Sequence, residues 1–340
     1  MAIIRKKSAE ELVKGWDEFV KELEETGFNS KSKTLDRAEL LAALKARIKG
    51  QDPAVQLIVK HVVNGFNKDH RTRPVATFLL VGPPGTGKTE TAKALAEAVF
   101  GSEADLLTIP CQNYSELESG GPGLLGIQRS FQGAKVGLLT GQTAAKPERV
   151  ILFDEIEKMH KDLVTKIFLS MLNDGWVQDN FTEKKVDFTR TVIMVTSNLA
   201  HEQCGEIALT QTDPEVRTQQ FRKVFEQEGY RPEVMNRFPA IIYYQELPPG
   251  MRALIAVGKI QAVARQYGIE LIEIERPVVR HIMTVSQRAG GQVRQIEQLI
   301  EDRLGDDFSN LKSRRQLKAR VIVTSDEQGG EHLRAVADGG

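Results

Sequence analysis

Residues 82–89 read Gly82-Pro83-Pro84-Gly85-Thr86-Gly87-Lys88-Thr89, which matches the phosphate-loop pattern G-x-x-x-x-G-K-[ST]. An apolar run at 77–81 precedes this stretch, and a helical pattern at 90–99 follows it. In that context the backbone N–H groups of the loop and the N-terminus of the helix attract phosphate oxygens. The stretch therefore predicts a site for a nucleoside triphosphate, in which Lys88 contacts the outer phosphates and Thr89 contacts Mg²⁺.

Further apolar runs share the character of the run before the loop. They cover residues 106–110, 150–153, 191–195 and 240–244. Runs that are apolar almost throughout are typical of strands buried on both faces of a parallel sheet. We therefore predict an α/β fold, a five-stranded parallel sheet that carries the phosphate loop and is flanked by helices.

The chain is predicted to have three parts. Residues 1–45 form an N-terminal helical extension, residues 46–246 the large α/β domain, and residues 247–340 a smaller, mainly helical domain. The change of composition falls at Pro248-Pro249-Gly250. Helical patterns follow at 251–267, 277–288 and 292–304, and residues 320–324 with 332–336 are suited to pair as a terminal hairpin.

Composition argues against several classes of protein. Basic and acidic residues both number 46, so the chain has no overall field directed toward nucleic acid or anionic membranes. Its two cysteines, Cys111 and Cys204, lie far apart and outside metal-ligand spacing, which suits a reducing compartment. No apolar run is long enough to span a bilayer, and the N-terminus has no apolar signal core. We expect a cytoplasmic protein without membrane contact.

Polar side chains follow two of the apolar runs. Asp154 and Glu155 come directly after one, and Asn198 follows another. Because the carboxyl ends of parallel strands meet at one edge of a sheet, these groups are expected beside the phosphate loop. We predict that Asp154 binds Mg²⁺, that Glu155 is a general base, and that Asn198 orients water or contacts the terminal phosphate. The alternative in each case is a solvated turn.

With these motifs in place, the chain resembles the AAA+ ATPases of the Clp chaperone type, specifically the second-ring module of Clp unfoldases and disaggregases. The resemblance covers roughly residues 46–305. It rests on Gly50-Gln51-Asp52, Phe78-Leu79-Leu80-Val81, Phe153-Asp154-Glu155-Ile156-Glu157-Lys158-Met159-His160, Leu172-Asn173-Asp174-Gly175, Val186-Asp187-Phe188 and Tyr230-Arg231-Pro232-Glu233-Val234-Met235-Asn236-Arg237. It implies a self-assembled ring, usually a hexamer, that binds ATP between neighbouring subunits and uses its hydrolysis to remodel, unfold or disassemble a protein partner.

The resemblance also assigns residues outside the phosphate loop. Arg237 matches the arginine finger that reaches the nucleotide of the adjacent subunit, while Arg231 is a weaker candidate with a salt bridge as its alternative role. Ile48 and Lys49 resemble the segment that lines the adenine pocket, although Ile48 also suits a plain core position. Arg294 resembles the nucleotide sensor of the lid domain, with Arg288 as the substitute.

The predicted substrate loop departs from the family. Clp rings grip polypeptide with an aromatic–aliphatic pair between glycines, and the matching stretch here is Pro122-Gly123-Leu124-Leu125-Gly126. Leucine stands where the family has an aromatic ring, so the broad rigid contact face is missing. We expect Leu124 and Leu125 to contact substrate; the alternative is that both pack within the ring interface.

Two features keep other functions open. The helical pattern at 8–26, with Trp16 and Phe19 on one face, packs on its own domain or forms a partner surface. A basic run near the C-terminus is a solvated face or an edge that contacts nucleic acid. The run comprises Lys312, Arg314, Arg315, Lys318 and Arg320. The alternative function is accordingly an assembly or regulatory factor acting with nucleic acid, in which the nucleotide state controls oligomerisation without threading.

Overall fold

A computed structural model describes residues 35–288, 293–325 and 331–338. Its strands in chain order are β1 Ala76–Val81, β2 Leu106–Pro110, β3 Val150–Asp154, β4 Trp176–Gln178, β5 Lys185–Asp187, β6 Val192–Ser197, β7 Ala240–Tyr243, β8 Glu270–Ile274, β9 Lys318–Ser325 and β10 Glu331–Ala337. The large sheet is parallel, has five strands and runs in the order β2-β3-β6-β1-β7. The predicted five-stranded parallel sheet is therefore confirmed.

Helices surround this sheet and continue beyond it. In chain order they are α1 Arg37–Arg47, α2 Asp52–Phe66, α3 Lys88–Phe100, α4 Leu117–Leu125, α5 Leu138–Ala145, α6 Lys161–Asn173, α7 His201–Thr210, α8 Pro214–Gln227, α9 Pro232–Met235, α10 Pro249–Gln266, α11 Arg276–Arg288 and α12 Val293–Ser313. None of the helices in the described part of the chain has the length and apolarity needed to cross a membrane. The helix predicted at 8–26, with Trp16 and Phe19, lies outside the described residues.

The centre of the sheet explains why the apolar runs are so continuous. All six residues of β1 are buried, as are all six of β6, because each strand has neighbours on both sides and helices on both faces. Val81 at the end of β1 lies beside Ser197 on one side and Tyr243 on the other. The phosphate loop therefore begins between two strand ends, at the edge where ligands of parallel sheets bind.

Residues before the sheet contribute to its core. Leu40 and Leu44 on α1 are buried in the same apolar cluster as Val55 on α2 and Leu95 on α3. Arg47 at the end of α1 also contacts three carboxylates of α3 and the turn after it, at 2.6 to 2.7 Å. Helix α1 is thus fixed against the helix that follows the phosphate loop.

The C-terminal helices pack around a second, smaller sheet. It has three strands in the order β10-β9-β8 and shares an apolar core with α10, α11 and α12. The pairing of β9 with β10 confirms the predicted hairpin. Strand β8, which runs parallel to β9, and the short β4–β5 hairpin were not predicted. Both lack a readable pattern, because β8 alternates weakly and β4 and β5 have only three residues each.

Candidate nucleotide-binding site

The phosphate loop needs glycine at two positions for different reasons. A side chain at Gly82 would place its Cβ 2.2 Å from the carbonyl oxygen of Tyr244, so the backbone approach leaves no room for one. Gly87 has a φ of 99° and stands directly before α3, in the left-handed region that other residues rarely adopt. The N-terminus of α3 consequently opens towards the space enclosed by the loop.

A buried glutamine ties this loop to the sheet. Gln51 is only 2% exposed, and its Nε2 donates to the carbonyl oxygens of Thr86 at 3.2 Å and Gln245 at 2.8 Å. Its Oε1 accepts from the backbone N–H of Gln245 at 3.2 Å. Inside the loop, the Thr86 hydroxyl donates to the carbonyl oxygen of Pro83 at 2.9 Å. Hydrogen bonds from these two side chains therefore help to hold the loop in shape.

Lys88 lies almost fully buried beneath the loop. Its Nζ donates to the carbonyl oxygens of Gly82 at 2.6 Å and Pro83 at 2.8 Å, and to Asn198 Oδ1 at 2.9 Å. Burial lowers the pKa of Lys88 to about 8, and the three carboxylates at and just after the end of β3 oppose part of that shift. The ammonium group thus lies between the residues that follow β1 and the residue that follows β6.

The predicted magnesium ligands lie together at the same edge. Thr89 Oγ1 is 3.2 Å from Asp154 Oδ1, and the same carboxylate oxygen accepts from the Thr196 hydroxyl at 2.7 Å. Mg²⁺ in phosphate sites usually takes one or two oxygen ligands from the protein and the rest from phosphate and water. A hydroxyl and a carboxylate at this spacing fit that requirement.

Glu155 occupies an unusual backbone conformation beside them. Its φ of 59° and ψ of 62° lie in the left-handed region, which costs a residue other than glycine some free energy and is concentrated at functional sites. Its backbone N–H donates to the Thr196 hydroxyl at 3.0 Å, which anchors the turn. Its Oε1 accepts from Asn198 Nδ2 at 3.2 Å. The ends of β3 and β6 therefore lie next to each other, as predicted.

A cleft of about 340 Å³ runs beside the loop. Ile48 and Lys49, which were predicted to line the adenine pocket, line this cleft, and Ile48 is at the same time a buried core residue with 4% exposure. Ile255 and Lys259 from α10 also line it. No sequence pattern indicated these two α10 residues, because their approach to the loop depends on how the C-terminal helices dock.

Two of the predicted arginines, Arg231 and Arg237, do not line this cleft. Arg237 follows α9, is partly exposed, and its Nε has no hydrogen-bond partner among the described residues. Arg231 lies 3.3 Å from Asp162 Oδ1 on the surface, which agrees with its alternative as a salt bridge. The side chains of Arg288 and Arg294 lie outside the described part of the chain, so the sensor prediction stays a prediction. Within one subunit, neither Arg231 nor Arg237 is among the residues that line the nucleotide cleft.

The prediction that Leu124 and Leu125 contact substrate is contradicted. Both belong to the last turn of α4, and their side chains are 0% and 3% exposed in the main apolar core. An apolar pair reads the same in sequence whether it ends a buried helix or tips a loop. Phe131, seven positions after Leu124, is exposed instead, with 63% of its surface accessible.

Phe131 lies in the loop 126–137 between α4 and α5, which is held in place by hydrogen bonds. Ile127 and Lys135 bridge its base, and the Phe131 backbone N–H donates to the Gln128 carbonyl at 3.0 Å in a tight turn. Arg129 Nε donates to the carbonyl oxygen of Phe181 at 3.1 Å, and its guanidinium lies 5.0 Å from the centre of that ring. The sequence feature that could have indicated Phe131 was an aromatic residue in a polar stretch, two residues before a glycine.

Known proteins resemble this chain along most of its length. The family model described as AAA domain (Cdc48 subfamily) matches residues 73–241. The chaperone protein ClpB of Mycoplasma genitalium is 36% identical over 211 residues, which cover 60% of this chain and 27% of the relative. ClpB of Aquifex aeolicus is 32% identical over 345 residues, covering 96% of this chain and 33% of the relative. The matched part of the chain therefore spans between about a quarter and a third of the length of these relatives.

A solved structure extends the likeness to the fold. The cryo-EM reconstruction of closed-state Hsp104 with ATPγS and FITC casein matches with a TM-score of 0.70 at 24% identity. The match covers 93% of this chain and 55% of the other. At that identity the likeness concerns the fold alone. It confirms the predicted fold class, a phosphate-loop parallel sheet followed by a smaller domain.

Proposed function

The chain belongs to the AAA+ ATPases of the Clp type, and from this premise we propose that it hydrolyses ATP with Mg²⁺ and remodels a protein partner. One observation carries the proposal. Lys88, Thr89, Asp154, Glu155 and Asn198, drawn from three strand ends, are joined by direct contacts of 2.9 to 3.2 Å beside a single cleft.

The roles of these side chains follow from their chemistry. Lys88 would exchange its bonds to the loop carbonyls for the outer phosphate oxygens, and the N–H groups of the loop would hold the remaining ones. Thr89 and Asp154 would hold Mg²⁺, which when bound neutralises the charge of the phosphates. Glu155 would take the proton of the attacking water at its carboxylate, while Asn198 keeps that carboxylate and the water in line.

A complete site requires a second subunit in this proposal. A positive side chain next to the terminal phosphate accelerates phosphoryl transfer strongly, and arginine fingers increase kcat by about 10³–10⁵. Arg237 lies outside the cleft of its own subunit, which supports a role towards the nucleotide of a neighbour in a ring, as the Clp resemblance implies. A hexamer, and Arg294 as the sensor of the lid domain, belong to the same proposal.

The choice of a protein partner rests on the loop between α4 and α5. Phe131 offers the broad apolar face that the sequence prediction missed at Leu124, so the loop suits contact with an extended polypeptide. Part of the positive charge of the basic run near the C-terminus is paired with carboxylates, because Arg320 lies 3.9 Å from Glu273 and 3.4 Å from Asp338. Nucleic acid is consequently the less favoured partner.

The organisation of the chain belongs to the proposal as well. The division into residues 1–45, 46–246 and 247–340 and the cytoplasmic location remain predictions from sequence. The boundary between the second and third parts is supported by the separate apolar core formed by the C-terminal helices and the small sheet.

Phosphate release from ATP by the purified protein tests the proposed function. We expect turnover with Mg²⁺, its loss with EDTA, and stimulation by casein as an unfolded polypeptide. Single-stranded DNA serves as the competing effector. Absence of turnover under all these conditions would refute the ATPase, and stimulation by DNA but not casein would favour the alternative function.

A further inference from the structure

Glu157 lies in the short turn after β3, two residues after Glu155. Its Oε1 accepts from the backbone N–H of Asn198 at 3.0 Å. Its Oε2 accepts from the Ser197 hydroxyl at 2.8 Å, and that hydroxyl oxygen accepts from the N–H of Leu199 at 3.0 Å. One carboxylate therefore fixes the backbone of the whole turn that follows β6.

Asn198 is the residue that this turn carries into the site. Its side chain contacts two groups with proposed roles in catalysis, Lys88 at 2.9 Å and Glu155 at 3.2 Å. Both contacts depend on where the backbone at Asn198 lies after it leaves the sheet. Beyond Ser197 the strand ladder has ended, so the N–H of Asn198 needs an acceptor from elsewhere. Glu157 supplies that acceptor.

We propose that Glu157 is a positioning residue for ATP hydrolysis, which acts by fixing Asn198 between Lys88 and Glu155. The inference rests on the proposed function and deepens it. A carboxylate that accepts two hydrogen bonds holds its donors more firmly than a neutral acceptor does, since charge-assisted bonds are shorter and about twice as strong. Small displacements of positioning groups cost much in rate, and about 1 Å of misplacement is enough for a roughly 100-fold loss.

Two substitutions separate this role from general support of the fold. Glu157→Ala removes both acceptors. Glu157→Gln keeps Oε1 as acceptor for Asn198, and its amide can donate to the Ser197 hydroxyl instead of accepting from it. If Glu157 acts through hydrogen bonds to the turn, Glu157→Gln rescues most of the activity that Glu157→Ala loses. Glu202→Gln, at an exposed position on α7, is the matched control.

The experiment measures kcat and KM for ATP, with a thermal midpoint for each variant. We expect kcat to fall by about 10- to 100-fold in Glu157→Ala, with KM for ATP changed by no more than about 3-fold. Glu157→Gln and Glu202→Gln should stay within about 3-fold of wild type. In a double variant with Asn198→Ala, kcat should fall no lower than in Asn198→Ala alone, because both changes remove the same positioned Asn198 side chain from the site.

Three results would overturn the inference. They are a folded Glu157→Ala variant with wild-type kcat, losses that multiply in the double variant, and a loss of rate in Glu157→Gln as large as in Glu157→Ala. A wild-type protein that turns over no ATP refutes the proposed function, and the inference is then decided by structure. In Glu157→Ala the 3.2 Å contact between Asn198 and Glu155 should be lost, and its persistence would overturn the inference.

Discussion

Asn198 donates a hydrogen bond from its Nδ2 to Oε1 of Glu155 over 3.2 Å, although the two residues are 43 positions apart in the chain. The contact joins the turns that follow β3 and β6, which are neighbours in the sheet. It holds the carboxylate of Glu155 at the cleft, on a backbone in the left-handed region. A carboxylate held in this way is suited to accept a proton from water next to the terminal phosphate.

Replacing Glu155 with glutamine should separate binding from hydrolysis. Glutamine retains the size and the acceptor for Asn198 but cannot take a proton from water, so turnover should fall by about 10²–10⁴. The affinity for ATP should stay within a few-fold, because Lys88 and the loop are unchanged. Phosphate release and equilibrium ATP binding measure the two effects. Wild-type turnover in Glu155→Gln would remove this residue from its role as base, and Glu202→Gln is the control.

Mixing two inactive variants tests whether Arg237 acts on a neighbouring subunit. Arg237→Ala subunits keep an intact loop and base, and Glu155→Gln subunits keep an intact Arg237. In mixed assemblies, some interfaces then pair an intact Glu155 with an intact Arg237, and ATP turnover should reappear. The measurement is phosphate release as a function of mixing ratio. If no ratio restores activity while assemblies form, the assignment in trans loses its main support.

Phe131 should govern the coupling between substrate and ATP turnover. In Phe131→Ala the ratio of casein-stimulated to basal turnover should fall towards one, because the exposed ring of the loop is lost. Phe131→Tyr keeps the aromatic face and should keep a ratio close to that of wild type. An undiminished ratio in Phe131→Ala would show that polypeptide is engaged elsewhere.

Much of the arrangement of the candidate ATP site could be predicted from the sequence. Asp154, Glu155 and Asn198 were expected beside the phosphate loop because buried parallel strands end at one edge, and that geometry needs no knowledge of side-chain packing. Phe131 was missed for the opposite reason. Apolar character alone does not distinguish the buried Leu124 at the end of α4 from an exposed residue at a loop tip, since exposure is decided by tertiary packing.

The same limit applies to groups that act at a distance. Gln51 was noted only as part of a motif, and its three hydrogen bonds to the loop and to the end of β7 appear only in the folded chain. Lys259 reaches the cleft through the docking of α10. Periodic patterns predict elements and edges, whereas these contacts depend on relative placement of elements that are distant in sequence.

Asp179 lies beside the Phe131 loop and is only 1% exposed. Its carboxylate accepts hydrogen bonds from two segments of the chain, and we call this arrangement the Asp179 clamp. Its Oδ2 accepts from the Thr140 hydroxyl at 2.5 Å and from the Gly137 N–H at 3.0 Å. Its Oδ1 accepts from the N–H groups of Phe181 at 3.1 Å and Thr182 at 2.7 Å. Burial acts to raise the pKa of this carboxyl, but the hydrogen bonds outweigh it and the pKa is lowered. The clamp thus ties the loop before α5 to the hairpin of β4 and β5.

Asp179→Asn should destabilise the protein and alter its response to acid. An amide offers only one acceptor oxygen for these donors, so unfolding should become easier by about 1–3 kcal/mol at pH 7. Because the pKa of Asp179 is lowered in the folded state, its contribution is complete well above the ordinary value of 3.8 and is lost as the pH falls below it. Urea midpoints across pH, with the exposed Asp302→Asn as control, measure this. A wild-type advantage that is absent at pH 7, or that grows towards acid pH, would contradict the clamp.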